Sequence, residues 1–336
     1  MSDRTIVISI ETPLLRTIAN EAAERKLRAL GRVVVNESDA RWSKAELIAH
    51  LSPEVHALIT SWGTAVIDAD VLAAAPRLEV IGHAAGSIKR IYERVVWERG
   101  VKVTQANHVI AESVAEFTLG LILAALRRIT TYNRRVQVAG PWRDEFPSQW
   151  GRSLYGKQVG IVGASQVGRR VVPLVRPFTS SIVVYDPFLP TASARELGVR
   201  PVALDDLMTG SDVVTLHAPI LPETKHMIGA KQLVAMKEGA LLVNTARSWL
   251  VDQQALLDVL VSGRISAALD VFDQEPLPDD SPFRALPNVI LTPHVAGRTV
   301  ESMARQVEAI ADELTLHFSG QPMQHEIRLA DLDRVA

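Results

Sequence analysis

A chain of 336 residues is long enough for two domains with separate cores. Its 36 basic and 38 acidic residues leave a net charge of −2, which excludes the basic face a nucleic-acid binder needs, and its 47% apolar content is that of a globular protein. With no cysteine there are no disulfides, thiolate metal sites or cysteine nucleophiles, and no other metal-ligand set is read. The N-terminus, Met-Ser-Asp-Arg-Thr-Ile-Val, lacks the layout of a signal peptide, so a cytoplasmic location is expected.

Residues 5–82 alternate short apolar runs with helical stretches. Strands are predicted at 6–10, 32–35, 56–60 and 78–81, an amphipathic helix over 14–30 stopped by Gly31, and a second helix over 43–50. Repeated βα units of this kind predict a small parallel sheet of flavodoxin-like type. Residues 113–136 read as one long helix, with Gly120 its only glycine and no proline. Its apolar run, 119–126, is far shorter than the roughly 20 residues a membrane span needs, so burial between domains or subunits is expected and a membrane partner is not. The basic end of that helix reads as a solvated face. A loop with Pro141, Trp142, Pro147 and Gly151 follows.

The stretch from 159 to 186 organises the rest. An apolar run, 159–162, ends at Gly163; a helical pattern starts at once; a second run, 182–185, ends on Asp186. That order is one half of a dinucleotide-binding βαβ unit. Gly163 permits the sharp turn, and Gly168 lets the helix lie close to the strand. The helix N-terminus offers amide N–H groups and the positive end of its dipole to a pyrophosphate. Asp186 lies 18 residues past Gly168. There a carboxylate accepts hydrogen bonds from ribose hydroxyls and repels the 2′-phosphate of NADP, which selects NAD. The middle glycine of the motif is Ser165, whose Cβ stands where backbone approaches phosphate. On pattern alone, a glycine turn in another kind of α/β domain stays open.

Further strands are predicted at 213–216, 241–244, 267–272 and 289–292, with helices over 224–236 and 252–260. They complete a doubly wound sheet, which binds ligands at the carboxyl ends of its strands. Arg247, Glu275 and His294 fall just past three of those ends. A guanidinium fork binds a carboxylate through two parallel hydrogen bonds. A histidine exchanges protons near neutral pH, and a neighbouring carboxylate holds its tautomer. Each residue alone also suits a plain turn, loop or surface ion pair. Their convergence on one rim, beside a dinucleotide motif, points to oxidation of a hydroxyl next to a carboxylate.

At these residues the chain resembles the D-isomer-specific 2-hydroxyacid dehydrogenases. The motifs are Val-Gly-Ile-Val-Gly, Leu-His-Ala-Pro (216–219), Asn-Thr-Ala-Arg (244–247), Ala-Leu-Asp-Val-Phe with Glu-Pro, and Leu-Pro-Asn-Val-Ile-Leu-Thr-Pro-His. The match spans nearly the whole chain, most densely 78–299. The resemblance implies two doubly wound α/β domains: a Rossmann NAD-binding domain, 108–298, inserted into a flavodoxin-like substrate domain made of 1–107 and 299–336. It implies His294 as general acid/base, Glu275 as its partner, and Arg247 as the group that binds the substrate carboxylate and polarises the carbonyl. Asp270 would hold the nicotinamide carboxamide. Gly163, Ser165, Gln166, Val167, Gly168, Asp186, His217, Ala218, Pro219, Thr224, Thr245, Ala246, Arg247, His294 and Gly297 complete the cofactor site. Trp62, Ala85, Gly86 and Ser87 join Arg247 and His294 at the substrate, and the helix from Ser113 helps build a homodimer.

Two departures bear on the substrate, expected to be a 2-hydroxy or 2-keto acid. In the loop whose backbone N–H groups meet the substrate carboxylate, the family commonly shows Gly-x-Gly-x-Asp-Asn. Here the loop reads His83-Ala-Ala-Gly-Ser-Ile-Lys-Arg90, placing Ala85 and Ser87 at the glycines and Lys89 at the aspartate. As added cations, His83, Lys89 and Arg90 suit a longer or doubly anionic substrate; facing solvent, the last two suit nothing in particular. After Arg247 the usual Gly-Gly is Ser248-Trp249, and Trp249 either narrows the pocket or packs. Formate dehydrogenases of this fold generally carry glutamine where Glu275 stands, which speaks against formate oxidation. The alternative from another class is an NAD(H)-sensing interaction protein of the corepressor type.

Overall fold

Apolar β-branched runs buried on both faces pair in parallel, and the helices between them cover those faces. The computed structural model describes residues 4–88, 91–144, 146 and 150–332. The chain divides into two units, Met1–Ile110 with Arg298–Ala336, and Ala111–Gly297.

In the first unit β1 (Thr5–Ile8), β2 (Arg32–Val35), β3 (Val55–Thr60), β4 (Val80–His83) and β5 (Lys102–Gln105) form a parallel sheet in the order β2-β1-β3-β4-β5. This is the flavodoxin-like order. The single helix expected over 14–30 is two, Thr12–Ile18 and Glu21–Leu30. Ala19 turns extended between them, and the Asn20 side chain caps the second by accepting the Ala23 N–H at 2.9 Å. The strand expected at 78–81 pairs two residues later, which brings His83 into the sheet. The strand Lys102–Gln105 was not read from the sequence: three of its four residues, Lys102, Thr104 and Gln105, are polar.

In the second unit β6 (Val159–Val162), β7 (Ile182–Tyr185), β8 (Arg200–Pro201), β9 (Val213–Leu216), β10 (Leu241–Asn244), β11 (Ser266–Leu269) and β12 (Val289–Leu291) order as β12-β11-β10-β9-β6-β7-β8, every pair parallel. The order reverses at β6/β9, as in a Rossmann fold. The long helix starts earlier than expected and ends sooner, Asn107–Leu126. Arg128, at φ 54, breaks it from the helix Ile129–Gln137. By length and composition Asn107–Leu126 is apolar enough to cross a membrane. Yet Ala115, Leu121, Ile122 and Leu126 are buried in one core with Val159, Ile161, Val171 and Val175, so the helix serves as packing. The helix expected over 224–236 shrinks to Ala230–Ala235, because Thr224 ends a separate 3-10 turn, Pro222–Thr224. The strand expected at 267–272 leaves the sheet after Leu269. The chain then returns to the first unit, where β13 (Glu326–Ile327) pairs antiparallel with β5.

Candidate active site

The register of the second sheet aligns Tyr185, Val162, Leu216, Asn244, Leu269 and Leu291 across β7, β6, β9, β10, β11 and β12. The residue after each is Asp186, Gly163, His217, Thr245, Asp270 and Thr292. Five of the six were read from the sequence as cofactor residues. The register sets them side by side at the carboxyl ends of the strands.

At the β6 end the backbone is crowded. Gly163 adopts φ 95, and a Cβ there would lie 2.5 Å from the Ala218 nitrogen. A Cβ on Gly168 would overlap the Gly163 carbonyl oxygen. Only glycine fits either place. Ser165 has a use that its Cβ did not suggest: it caps the helix Gln166–Val175, its Oγ accepting the Gly168 N–H at 3.4 Å. Gln166 and Val167 supply the first two helical amides. Asp186 braces the same turn, Oδ2 accepting the Ala164 N–H and Oδ1 the Phe188 N–H, both at 2.8 Å. A carboxylate has lone pairs beyond those two. A cradle that a Cβ would fill, a helix N-terminus and a strand-end acid fit a pyrophosphate and its ribose.

His217 is buried, and burial holds its pKa down to about 3, so the ring is neutral. Nε2 lies 2.9 Å from the Thr215 hydroxyl, while the buried Nδ1 has no hydrogen-bond partner among the described residues. Ala218 and Pro219 follow it. The Thr224 hydroxyl donates to the Pro219 carbonyl at 2.8 Å and accepts the Leu221 N–H at 2.8 Å, so it ties this turn. Trp249 fastens the turn from outside. Its indole N–H donates to the Leu221 carbonyl at 3.0 Å, and the Lys225 ammonium lies 5.0 Å from the ring centroid. These contacts give Trp249 a packing role.

Thr245 meets Thr118, a residue the sequence did not single out, hydroxyl to hydroxyl at 2.8 Å. Thr118 gives its one proton to the Val114 carbonyl at 2.7 Å, so Thr245 donates to Thr118 and keeps its lone pairs. Asn244 clamps the following residues: its Oδ1 accepts the Ala246 N–H at 3.1 Å and its Nδ2 donates to the Arg247 carbonyl at 2.9 Å. Arg247 donates through Nη1 to the Ala246 carbonyl at 2.7 Å. Burial pulls its pKa below the usual arginine value, opposed by the negative charge of Glu275, and the group stays charged.

Asp270 is fully buried. Its Oδ1 accepts the Thr292 hydroxyl at 2.6 Å and the Val295 N–H at 3.0 Å, and its Oδ2 accepts the Ala296 N–H at 2.9 Å. His294 sits inside that embrace at φ 53. Its Nδ1 lies 2.6 Å from Glu275 Oε2, and Glu275 Oε1 accepts the Phe272 N–H at 2.9 Å. Arg247, Glu275 and His294 thus belong to one rim, Glu275 bonding one and acting on the other. Gly297 closes the unit.

The expected substrate residues lie in the first unit, past β3 and β4. Trp62 is half-buried against the core there. Ala85 is fully buried, so its side chain lines nothing, while Gly86 and Ser87 are half-buried. His83 is not an added cation: it is buried, and desolvation holds its pKa down to about 4. Lys89 and Arg90 lie outside the described residues.

Residues 119–296 match the family model of the D-isomer specific 2-hydroxyacid dehydrogenase NAD-binding domain. A glyoxylate reductase from Korarchaeum cryptofilum is 39% identical over 258 residues, covering 76% of this chain and 77% of its own. A D-3-phosphoglycerate dehydrogenase from Methanocaldococcus jannaschii is 35% identical over 93% of this chain, which spans 58% of that protein's length. Among solved structures, a phosphoglycerate oxidoreductase from Rhizobium etli superposes with a TM-score of 0.81 at 28% identity, over 97% of this chain and 98% of its own. The glycine cradle, the row of strand-end residues and the matched stretch coincide in the second unit. On these grounds the chain belongs to the D-isomer-specific 2-hydroxyacid dehydrogenase family, and its second unit is that family's NAD-binding domain.

Proposed function

We propose that the protein interconverts a small D-2-hydroxy acid and the matching 2-keto acid with NAD(H). The observation that carries this is the 2.6 Å contact between His294 Nδ1 and Glu275 Oε2, on the rim that bears Arg247. With Nδ1–H held by a carboxylate, the exchangeable proton is the one on Nε2. Residues of the row from Asp186 to Asp270 would hold NADH, which would supply the hydride when bound. His294 protonates the carbonyl oxygen as negative charge builds there, and Glu275 stabilises the imidazolium beforehand. Among the described residues the Arg247 guanidinium makes one hydrogen bond, leaving most of its fork to take the substrate carboxylate and offset the developing alkoxide.

Asp186 takes the adenine ribose; Gly163, Ser165, Gln166, Val167 and Gly168 take the pyrophosphate. His217, Ala218, Pro219, Thr245, Ala246 and Gly297 line the rest of the cofactor site. Asp270 orders the His294 turn while facing the nicotinamide. The first unit is the substrate domain, and Trp62, Gly86 and Ser87 are its candidates to meet the substrate. Since His83 is neutral, one of the three cations behind a doubly anionic substrate is gone, which favours a small monoanion such as glyoxylate. Trp142, Phe146, Trp150 and Tyr155 are exposed by 56–78% in the segment after Ile129–Gln137, and a second copy of the chain is the partner that covers them.

The test is NADH oxidation against a panel of 2-keto acids. Turnover of glyoxylate, hydroxypyruvate or pyruvate is expected. Activity confined to dianionic or phosphorylated acids would return Lys89 and Arg90 to the pocket. Silence across the panel, with NADH bound, would overturn the reading. The relatives reported above are named for enzymes, and none supports the NAD-sensing alternative.

A further inference from the structure

The glycine turn after β6 carries a serine where the dinucleotide motif has its second glycine, the one that lets backbone approach the pyrophosphate. A Cβ at that place either obstructs the cofactor or brings a group that makes up for it. The contacts around Ser165 decide between the two.

Two consecutive peptide units of the turn are fixed from outside. In the first, the Ala164 N–H donates to Asp186 Oδ2 at 2.8 Å, while the Gly163 carbonyl oxygen lies against Gly168, where it would overlap a Cβ. In the second, Arg169 reaches back from the helix Gln166–Val175, and its Nε–H donates to the Ala164 carbonyl at 2.8 Å. Ala164 is thus gripped at both ends, its N–H by the acid after β7 and its carbonyl by a cation from the helix.

A peptide unit is planar and trans, so its C=O and N–H point opposite ways. With the Ala164 carbonyl turned to Arg169, the Ser165 N–H points away from that side chain. It has no hydrogen-bond partner among the described residues. The Ser165 side chain adds a second donor. As the helix cap its Oγ accepts the Gly168 N–H at 3.4 Å, which uses a lone pair and leaves the hydroxyl proton unspent. Nothing among the described residues accepts that proton. The residue is half-buried and stands at the positive end of a ten-residue helix. The unit is an NAD-binding domain, and the pyrophosphate is the anion such a turn receives.

We propose that Ser165 is a ligand of the cofactor pyrophosphate through its side-chain hydroxyl as well as its N–H, on a turn held in place by Arg169 and Asp186. The serine strengthens a site that a second glycine would leave to backbone alone. Arg169 is a positioning residue, acting through the Ala164 carbonyl. This rests on the reading of the turn as the pyrophosphate site, and it is independent of which acid is the substrate.

The deciding variant is Ser165→Gly, which restores the motif and, as a cap, costs a helix little. An obstructing Cβ and a binding hydroxyl predict opposite signs: the variant binds NADH more tightly in the first case and more weakly in the second. In titrations of the full chain, Kd for NADH and for ADP-ribose should rise by the same factor of about ten, the worth of one charge-assisted hydrogen bond. Kd for adenosine, which has no phosphate, should stay at the wild-type value. Ser165→Ala, which keeps the Cβ and removes only the hydroxyl, should weaken ADP-ribose equally. Unchanged or tighter NADH binding in Ser165→Gly overturns the proposal. So does an equal loss for adenosine, which would make capping the only role of the hydroxyl. Arg169 is exposed, so Arg169→Met should fold whatever the glycine variant does. It should speed hydrogen–deuterium exchange across 163–167 and weaken ADP-ribose about threefold, and wild-type exchange and affinity there overturn the hold on the turn. NADH bound without turnover of any keto acid would defeat the proposed function and leave this inference standing. Turnover combined with tighter NADH binding in Ser165→Gly would do the reverse.

Discussion

Asp270 holds the His294 turn through the residues on either side of it: its carboxylate grips Thr292 before the histidine and Val295 and Ala296 after it. A turn that carries His294, the proposed acid/base, at φ 53 needs such an outside hold. Asp270→Asn keeps the shape but replaces one acceptor by a donor facing N–H groups. Losing one or two charge-assisted bonds predicts a fall in kcat of about 10- to 100-fold. Steady-state kinetics beside a thermal melt would check this, and an unchanged kcat in a folded variant would remove Asp270 from its positioning role.

His294→Ala removes the proposed proton carrier and leaves the glycine cradle and Asp186 untouched. Turnover should drop by more than about 100-fold while NADH binds as before, the general acid/base share of catalysis being of that order. Fluorescence titration with NADH separates the two effects. Near-normal turnover would mean that another group handles the proton.

Asp186 braces the Ala164 amide as well as standing where a ribose belongs. NADH should therefore bind far better than NADPH, and Asp186→Ser should narrow the gap while weakening NADH itself, because the turn loses its brace. Equal affinities for the two dinucleotides in the wild type would sink the assignment.

Two histidines make stability depend on pH. His83 and His217 are buried neutral with pKa values of about 4 and about 3, below the ordinary 6.5. The unfolded chain takes up protons that the folded chain refuses, so stability is full above about pH 6.5 and falls as pH drops towards 4. Each group contributes on the order of 3 kcal/mol over that window. Denaturant melts at pH 7 and pH 4.5, followed separately for the two units, should show the loss in both. His83→Gln should flatten the dependence in the first unit, and an unaltered slope there would place the titration elsewhere.

The exposed aromatics after Ile129–Gln137 predict a dimer. Trp142→Asp combined with Trp150→Asp should give monomers by sedimentation at micromolar concentration. A wild type that already sediments as a monomer would leave those side chains without the partner assigned to them.

Much of this was legible in the residues. Gly163, Gly168 and Asp186 are readable because a tight turn and a strand-end acid need those residue types and no others. Arg247, Glu275 and His294 are readable because each follows an apolar run closely. Thr118 was not, since a threonine inside a helix carries no pattern until the fold shows what it touches. His83 was misread for a related reason. Its position beside Lys89 and Arg90 suggests charge, whereas its burial between β3 and β5 forbids it. Ser165 read as a steric defect, and only the helix it caps reveals its use.

The register row across β7, β6, β9, β10, β11 and β12 has a consequence for how this chain tolerates change. Insertions in the helical connections are absorbed outside the sheet. One residue added to or removed from a strand displaces the group at its end by about 3.3 Å and reverses the face of every side chain before it. Length variation between relatives should therefore gather in the crossovers, while the short strands behave as fixed rulers measuring out a shared baseline for the chemistry.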